Sequence, residues 1–248
     1  MKVGVLGYGN LACALLDGLT KLGNLTGKDV TITAKTPETL SLACLNGLNA
    51  SDSVAEIFEA DIVILAVKPA VFKTLINEIP SNFKGKIVSA MACYSYQELK
   101  NVFKNNYVLR IMPSLLSSTG NDIIAVCGDT DKFDDFIKIL KGAGRVIITN
   151  EEKFNAFLIA VSCGIGFTSY ITEAYKNSLV KLGFLNEEAN EITKVLFTAS
   201  ANVKDRVSLY KQVATKGGVT ELGLNEFENG NLYGVIENGV LKAYNKVK

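Results

Sequence analysis

Histidine is absent from this 248-residue chain, and proline occurs only four times. Without imidazole the chain lacks the commonest general acid/base and the commonest metal ligand, so its chemistry must run on other groups. Cys13, Cys44, Cys93, Cys127 and Cys163 are odd in number and scattered, with no Cys-x-x-Cys pair. That pattern speaks against a disulfide framework and against a thiolate metal site, leaving unpaired thiols, expected to be buried, and no expected metal. Charge of one sign is missing too: 26 Lys and Arg against 25 Asp and Glu leave +1, too weak a field to gather nucleic acid or an anionic membrane surface. No apolar run approaches membrane-span length, and Met1-Lys2-Val3 lacks the basic, apolar and small-residue regions of a signal peptide. The expectation is a cytoplasmic protein acting on a small molecule, with neither nucleic acid nor membrane as partner.

What is present is a 48% hydrophobic content that can bury a real core. Through the first half, Lys2–Leu6, Val30–Ala34, Ile62–Val67, Ile87–Ala90, Tyr107–Ile111, Ile123–Val126 and Arg145–Ile148 read as strands alternating with helical patterns. Such alternation predicts an α/β fold of Rossmann type, a doubly wound, mostly parallel sheet with right-handed crossovers. Leu11–Lys21 is expected as the first crossover helix, and Asp131–Leu140 as a later one capped by Thr130 or Asp131. Near Asn150 the strand-like runs stop and helical signals lengthen, so residues 1–149 are expected to form a nucleotide-binding domain and 150–248 an all-helical one. Thr149-Asn150-Glu151-Glu152 has the form of a helix start, and Asn186-Glu187-Glu188 of another whose Ile192, Val195, Leu196 and Ala199 make an apolar stripe. Gly164 and Gly166 interrupt a helical pattern and call for close helix approach or a kink. Helices with several apolar faces and little sheet to cover are expected to bury the excess against a partner subunit.

Gly7-Tyr8-Gly9-Asn10-Leu11-Ala12 follows a strand and opens a helix, the context a dinucleotide fingerprint requires. The first glycine permits the tight turn, the second admits the pyrophosphate to the backbone, and the small Ala12 lets helix and strand pack closely. NAD-selective sites end the second strand with a carboxylate for the ribose hydroxyls; here the strand ends Thr33-Ala34-Lys35-Thr36. Lys35, with the hydroxyls of Thr33 and Thr36, suits a 2′-phosphate instead, so NADP(H) is favoured, with NAD(H) possible. Ala66-Val67-Lys68-Pro69 ends a further strand at the edge where such sheets bind ligands. Pro69 suits a first helical turn and holds Lys68 extended, aiming backbone groups at the cofactor.

Late in the chain, Thr215-Lys216-Gly217-Gly218-Val219-Thr220 has the form of an anion-binding helix start, with the helix running through Leu222 and Phe227. Its glycine N–H groups form a carboxylate nest, and Thr220 adds a hydroxyl. Reducing a ketone needs an acid to protonate the emerging alkoxide, whereas a cyclic imine can enter already protonated and leave as an amine. The missing histidine therefore fits imine reduction.

Taken in order, Val5 to Ala12, Ala60 to Pro69, Arg110-Ile111-Met112-Pro113, Glu173-Ala174 and Gly217-Gly218-Val219-Thr220 make the chain resemble pyrroline-5-carboxylate reductase over essentially its whole length. The resemblance implies NADPH-dependent reduction of 1-pyrroline-5-carboxylate to L-proline, the last step of proline biosynthesis. It implies a Rossmann domain for the cofactor and a helical domain that interlocks with a partner's in a homodimer or higher homo-oligomer. Substrate is implied near the Gly-Gly-x-Thr helix start, between the two domains or subunits. Thr220 is implied near the imine nitrogen, where it orients or protonates it, with Thr215 a second candidate. Lys216, Gly217, Gly218 and Val219 complete the substrate-binding set. The chain departs from the family's habit in four places: Lys216 replaces proline, Ser53 and Ser114 each replace asparagine, and the stretch Ser162-Cys163-Gly164-Ile165 replaces Ser-Gly-Pro-Ala. Ser53 is carried over with the cofactor site. Two other readings stay open: a β-hydroxyacid dehydrogenase-like enzyme, whose lysine after the glycine pair is Tyr170 here, with Lys176 and Lys181 off the spacing, and an inactive NADP-binding sensor or scaffold.

Overall fold

The computed structural model describes residues 1–247 and divides into two compact units, Met1–Ser162 and one beginning at Cys163. The first unit runs β1 (Val3–Leu6), α1 (Asn10–Asp17), β2 (Val30–Thr33), α2 (Pro37–Leu45), β3 (Asn49–Ser51), α3 (Val54–Ile57), β4 (Ile62–Leu65), α4 (Pro69–Leu75), β5 (Lys86–Ser89), α5 (Tyr96–Val102), β6 (Val108–Met112), β7 (Asp122–Gly128), α6 (Asp134–Leu140), β8 (Gly144–Ile148) and α7 (Glu151–Phe157). The sheet order is β3-β2-β1-β4-β5-β6-β7-β8, parallel throughout except that β7 runs antiparallel to β6. The expected doubly wound sheet is therefore present.

Side chains alternate across the sheet with period two. Val3 and Val5 of β1 and Ile62 and Ile64 of β4 join the core under α1 and α6; Leu6, Val63 and Leu65 join Phe72, Leu99 and Phe103 on the opposite face. Each large side chain buried here stabilises the fold by about 2 kcal/mol relative to exposure. Both faces being covered explains why the strands read as unbroken apolar runs rather than as alternating ones.

Three local expectations are corrected. The edge strand β3 went unread because Asn49-Ala50-Ser51 has no β-branched or aromatic residue to mark it. Thr130–Lys132 is a separate 3₁₀ turn, so α6 starts only at Asp134 and without a side-chain cap. One helical stretch, Glu151–Lys181, is long and apolar enough to cross a membrane by length and composition, with mean hydropathy 1.6 in its best window. It escaped notice because Asn155, Ser162, Thr168 and Ser169 break the apolar run, although no charged residue lies between Lys153 and Glu173.

Asn150 caps α7 by accepting the Lys153 N–H at 3.0 Å. This helix starts where the composition changes, yet it belongs to the first unit, because Phe154 is buried against Met112, Ala125 and Cys127. A π-helical turn over Leu158–Cys163 follows and leads into Gly164. A Cβ at Gly166 would meet nothing within 4 Å, so within this chain no helix crowds it.

The second unit holds α8 (Gly164–Lys181), α9 (Asn186–Asn202), α10 (Arg206–Val213), α11 (Val219–Asn229) and α12 (Leu232–Asn245). The Glu188 carboxylate accepts the Leu185 N–H at 2.8 Å, the expected acidic start of α9. Tyr175 of α8 meets Phe197 of α9 edge to face, ring centroids 5.5 Å apart. Among its described residues only Ala189 and Thr193 are buried.

Candidate functional site

The register of the parallel strands brings the first group of expected residues to one sheet edge. Leu6 of β1 is level with Thr33 of β2 and Leu65 of β4, and Thr33 with Ser51 of β3. Gly7–Ala12, Lys35–Thr36, Ser53 and Ala66–Pro69 therefore all follow strand ends on the same side. Strand order reverses between β1 and β4, the crevice where such sheets take ligands.

Gly7 sits at φ 96°, and a Cβ there would lie 2.6 Å from the Val67 side chain and 2.9 Å from the Ala66 carbonyl oxygen. Only glycine permits both the turn and this approach. Gly9 caps α1 with no side-chain acceptor, and a Cβ on it would meet nothing within 4 Å. The first backbone bond of α1 runs from Cys13 N–H to the Gly9 carbonyl, so the N–H groups ahead of it have no intrahelical acceptor. With no acid in its first turn, α1 presents a bare positive end, the kind of helix start that can hold an anion. Ala12 is buried, as close helix-to-strand packing requires, while Asn10 is exposed and Leu11 half-buried. Tyr8 turns inward: its hydroxyl accepts the Asn46 side-chain N–H at 2.9 Å, and burial pushes its ionisation up.

Around that edge the remaining residues differ in how free they are. Lys35 is exposed beyond β2. Thr36 is the N-cap of α2, its hydroxyl receiving the Thr39 N–H at 3.4 Å, so it serves the helix first. Thr33 is buried, and its carbonyl accepts the Gly7 N–H at 2.9 Å. Lys68 is extended at φ −66°, ψ 146° and Pro69 opens α4, the geometry expected of that pair. Ser53 is exposed before α3 and makes no side-chain cap.

Sequence reading missed the two polar clusters that hold the strand ends beside this edge. Asp122 is buried, and its carboxylate accepts the N–H of Ser114 at 2.6 Å, the hydroxyls of Ser114 at 2.8 Å and Ser117 at 2.6 Å, and the N–H of Ile123 at 2.8 Å. Ser114 thus anchors the loop after β6, and the Ser162 hydroxyl donates to the Pro113 carbonyl at 3.0 Å. In the second cluster Arg110, 2% exposed, donates to Glu151 at 2.6 Å and lies 4.1 Å from the Phe154 ring centre. Glu151 also accepts the Tyr96 N–H at 3.0 Å and the Cys127 thiol at 3.3 Å. Burial and then the Glu151 hydrogen bond push the Cys127 thiol up to about 12, so it stays protonated and inert.

The second group of expected residues lies in the second unit. Gly217, at φ 75°, and Gly218, the N-cap, open α11 with no side-chain cap from Gly218. The Gly218 N–H turns back to the Thr215 carbonyl at 2.8 Å, and the first bond into the helix runs from Leu222 N–H to the Gly218 carbonyl at 3.3 Å. Val219, Thr220 and Glu221 therefore enter the helix with N–H groups lacking an intrahelical acceptor. Lys216, Thr215 and Val219 are exposed and Thr220 is half-buried. Glu221, which sequence reading passed over, sends its carboxylate to the Gly217 N–H at 2.6 Å. The available signal was an acid three residues after a glycine cap, a spacing that favours a carboxylate reaching back.

Residues 151–248 match the family model for pyrroline-5-carboxylate reductase dimerisation, and residues 2–93 match one described as NADP oxidoreductase, coenzyme F420-dependent. A pyrroline-5-carboxylate reductase of Staphylococcus epidermidis is 27% identical over 99% of this chain and 96% of its own length. Over nearly its whole length the chain is thus similar to pyrroline-5-carboxylate reductases. Its fold is shared with the 1-pyrroline-5-carboxylate reductase of Streptococcus pyogenes, at TM-score 0.91 and 24% identity over 100% of this chain and 98% of that one. It is shared also with the Plasmodium falciparum pyrroline carboxylate reductase solved with NADP bound, at TM-score 0.88 and 20% identity, covering 100% and 97%.

Proposed function

We propose that this chain reduces 1-pyrroline-5-carboxylate to L-proline with NADPH, working in the cytoplasm as a homodimer or higher homo-oligomer. The observation that carries the reading is the glycine-capped start of α11, which offers a carboxylate N–H groups and a threonine hydroxyl in a segment matched by the family's dimerisation model. The bare end of α1, the space at Gly9 and the lack of a carboxylate after β2 fit NADP(H), and the Plasmodium relative was solved with NADP.

The cofactor, when bound, supplies the hydride. The protein contributes orientation, which is worth several orders of magnitude when reacting atoms are held in line. Gly7–Ala12 would hold the pyrophosphate, Lys35 the 2′-phosphate, and Ala66–Pro69 with Ser53 the rest of the cofactor edge. Gly217, Gly218 and Val219 would hold the substrate carboxylate, with Lys216 beside them, and the Thr220 hydroxyl would hydrogen-bond the ring nitrogen, Thr215 standing second. No histidine is needed, because the ring nitrogen can arrive protonated. Tyr170, exposed on α8, supplies no lysine of the hydroxyacid-dehydrogenase kind. Oligomerisation is supported by the outward apolar side chains of all five helices in the second unit.

Purified protein mixed with NADPH and pyrroline-5-carboxylate should consume the reduced nicotinamide absorbance. Thr220→Ala should lose about 10²-fold in turnover, the range for a positioned proton donor, while binding NADPH as before. Turnover of a 3-hydroxyacid with NADP and none of the imine would sink the reading.

A further inference from the structure

We propose that Glu221 is a built-in competitor for the substrate carboxylate and thereby sets how tightly this chain holds an anionic substrate. The inference rests on the reading of Gly217 to Thr220 as the carboxylate site. Of the two glycine N–H groups there, Gly218 donates to the Thr215 carbonyl within its turn, and Gly217 donates to the Glu221 carboxylate at 2.6 Å. An ionised acceptor makes that bond short and about twice as strong as a neutral one.

An incoming carboxylate is the same kind of acceptor as the side chain already in place. Two carboxylates on one N–H repel each other, so the substrate takes the Gly217 N–H only as Glu221 swings off. Room exists for both positions: a Cβ at Gly217 would meet nothing within 4 Å, and Glu221 is half-buried rather than locked. The exchange keeps the positive helix end covered when no substrate is bound and charges each anionic ligand for the displacement. A neutral imine lacking the carboxylate does not meet this competition.

Glu221→Gln keeps the acceptor oxygen and the shape of the side chain while removing its charge. The expected result is a KM for pyrroline-5-carboxylate about tenfold lower than wild type, the effect falling on KM rather than kcat. The KM for 1-pyrroline, the same ring without the carboxylate, should not move. Glu221→Ala should shift the pyrroline-5-carboxylate KM in the same direction, which separates loss of competition from a loosened loop. A KM that stays unchanged or rises in Glu221→Gln overturns the inference while leaving the reductase reading intact. If neither protein turns over, the reductase reading fails and L-proline binding decides, followed through the amide resonance of Gly217: tighter binding in Glu221→Gln sustains the competition, and equal or weaker binding ends it.

Discussion

Cys93 holds a backbone conformation that its side chain disfavours. It follows β5 at φ 62°, is exposed, and is one of two non-glycine residues at positive φ among those described. A β-carbon in the left-handed region costs about 1 kcal/mol that glycine does not incur. Cys93→Gly should therefore raise the thermal midpoint by a few degrees, partly offset by the freer unfolded chain; calorimetry showing a fall would mean the thiol makes a contact that outweighs the strain. Nothing in the sequence around Cys93 marks it, since cysteine is no turn former. Gly7 and Gly217 were legible for the opposite reason, being the residue type that positive φ demands. At Thr36 the sequence was ambiguous in a physical sense: a hydroxyl before Pro37 suits a phosphate or a helix cap, and the fold uses it as a cap.

Elements were legible where one pattern dominated. Strands β1 and β4 were read within a residue or two because both their faces are apolar, and Asn150 was read because a capping side chain announces a helix. What joins the elements was not. Arg110 and Glu151 are forty-one positions apart, and neither residue's neighbours suggest that a strand arginine would be sealed beneath a helix start. Burial raises the Glu151 carboxyl, but the Arg110 guanidinium, the Tyr96 N–H and the Cys127 thiol outweigh it and bring it below the ordinary glutamate range. A carboxyl lowered in the folded state stabilises the fold above its unfolded value and loses that contribution as pH falls through its folded value. Glu151→Gln, which leaves the buried guanidinium without its counter-charge, should unfold at lower temperature than wild type near neutrality. The gap should narrow on acidification through the carboxylate range; a pH-independent gap in thermal scans would remove Glu151 as the source.

The whole molecule shows an imbalance between its two units. The first covers both faces of its sheet, whereas the second leaves Val195 and Leu196 on α9, Tyr233 and Ile236 on α12, and Phe227 on α11 exposed. The stripe read on α9 was right in its spacing, but a single chain leaves most of it facing outward, because the sequence carries no record of which surface covers a stripe. The proposed oligomer supplies that cover. Sedimentation should give at least twice the chain mass, with a thermal midpoint that rises with protein concentration. Val195→Glu combined with Leu196→Glu should shift the population toward monomer, and an unaltered sedimentation profile would move the interface elsewhere.

Four helix starts in the chain follow a different custom from the two that the proposed function uses. Thr36, Ser95, Asn150 and Asp205 each lend a side-chain oxygen to the first turn of a helix, while Gly9 and Gly218 lend none. Each omission forgoes only a few tenths of a kcal/mol relative to a good cap, because glycine is itself tolerated there. Under the proposed function the anionic guests, once seated at these two points, would complete the secondary structure of their host.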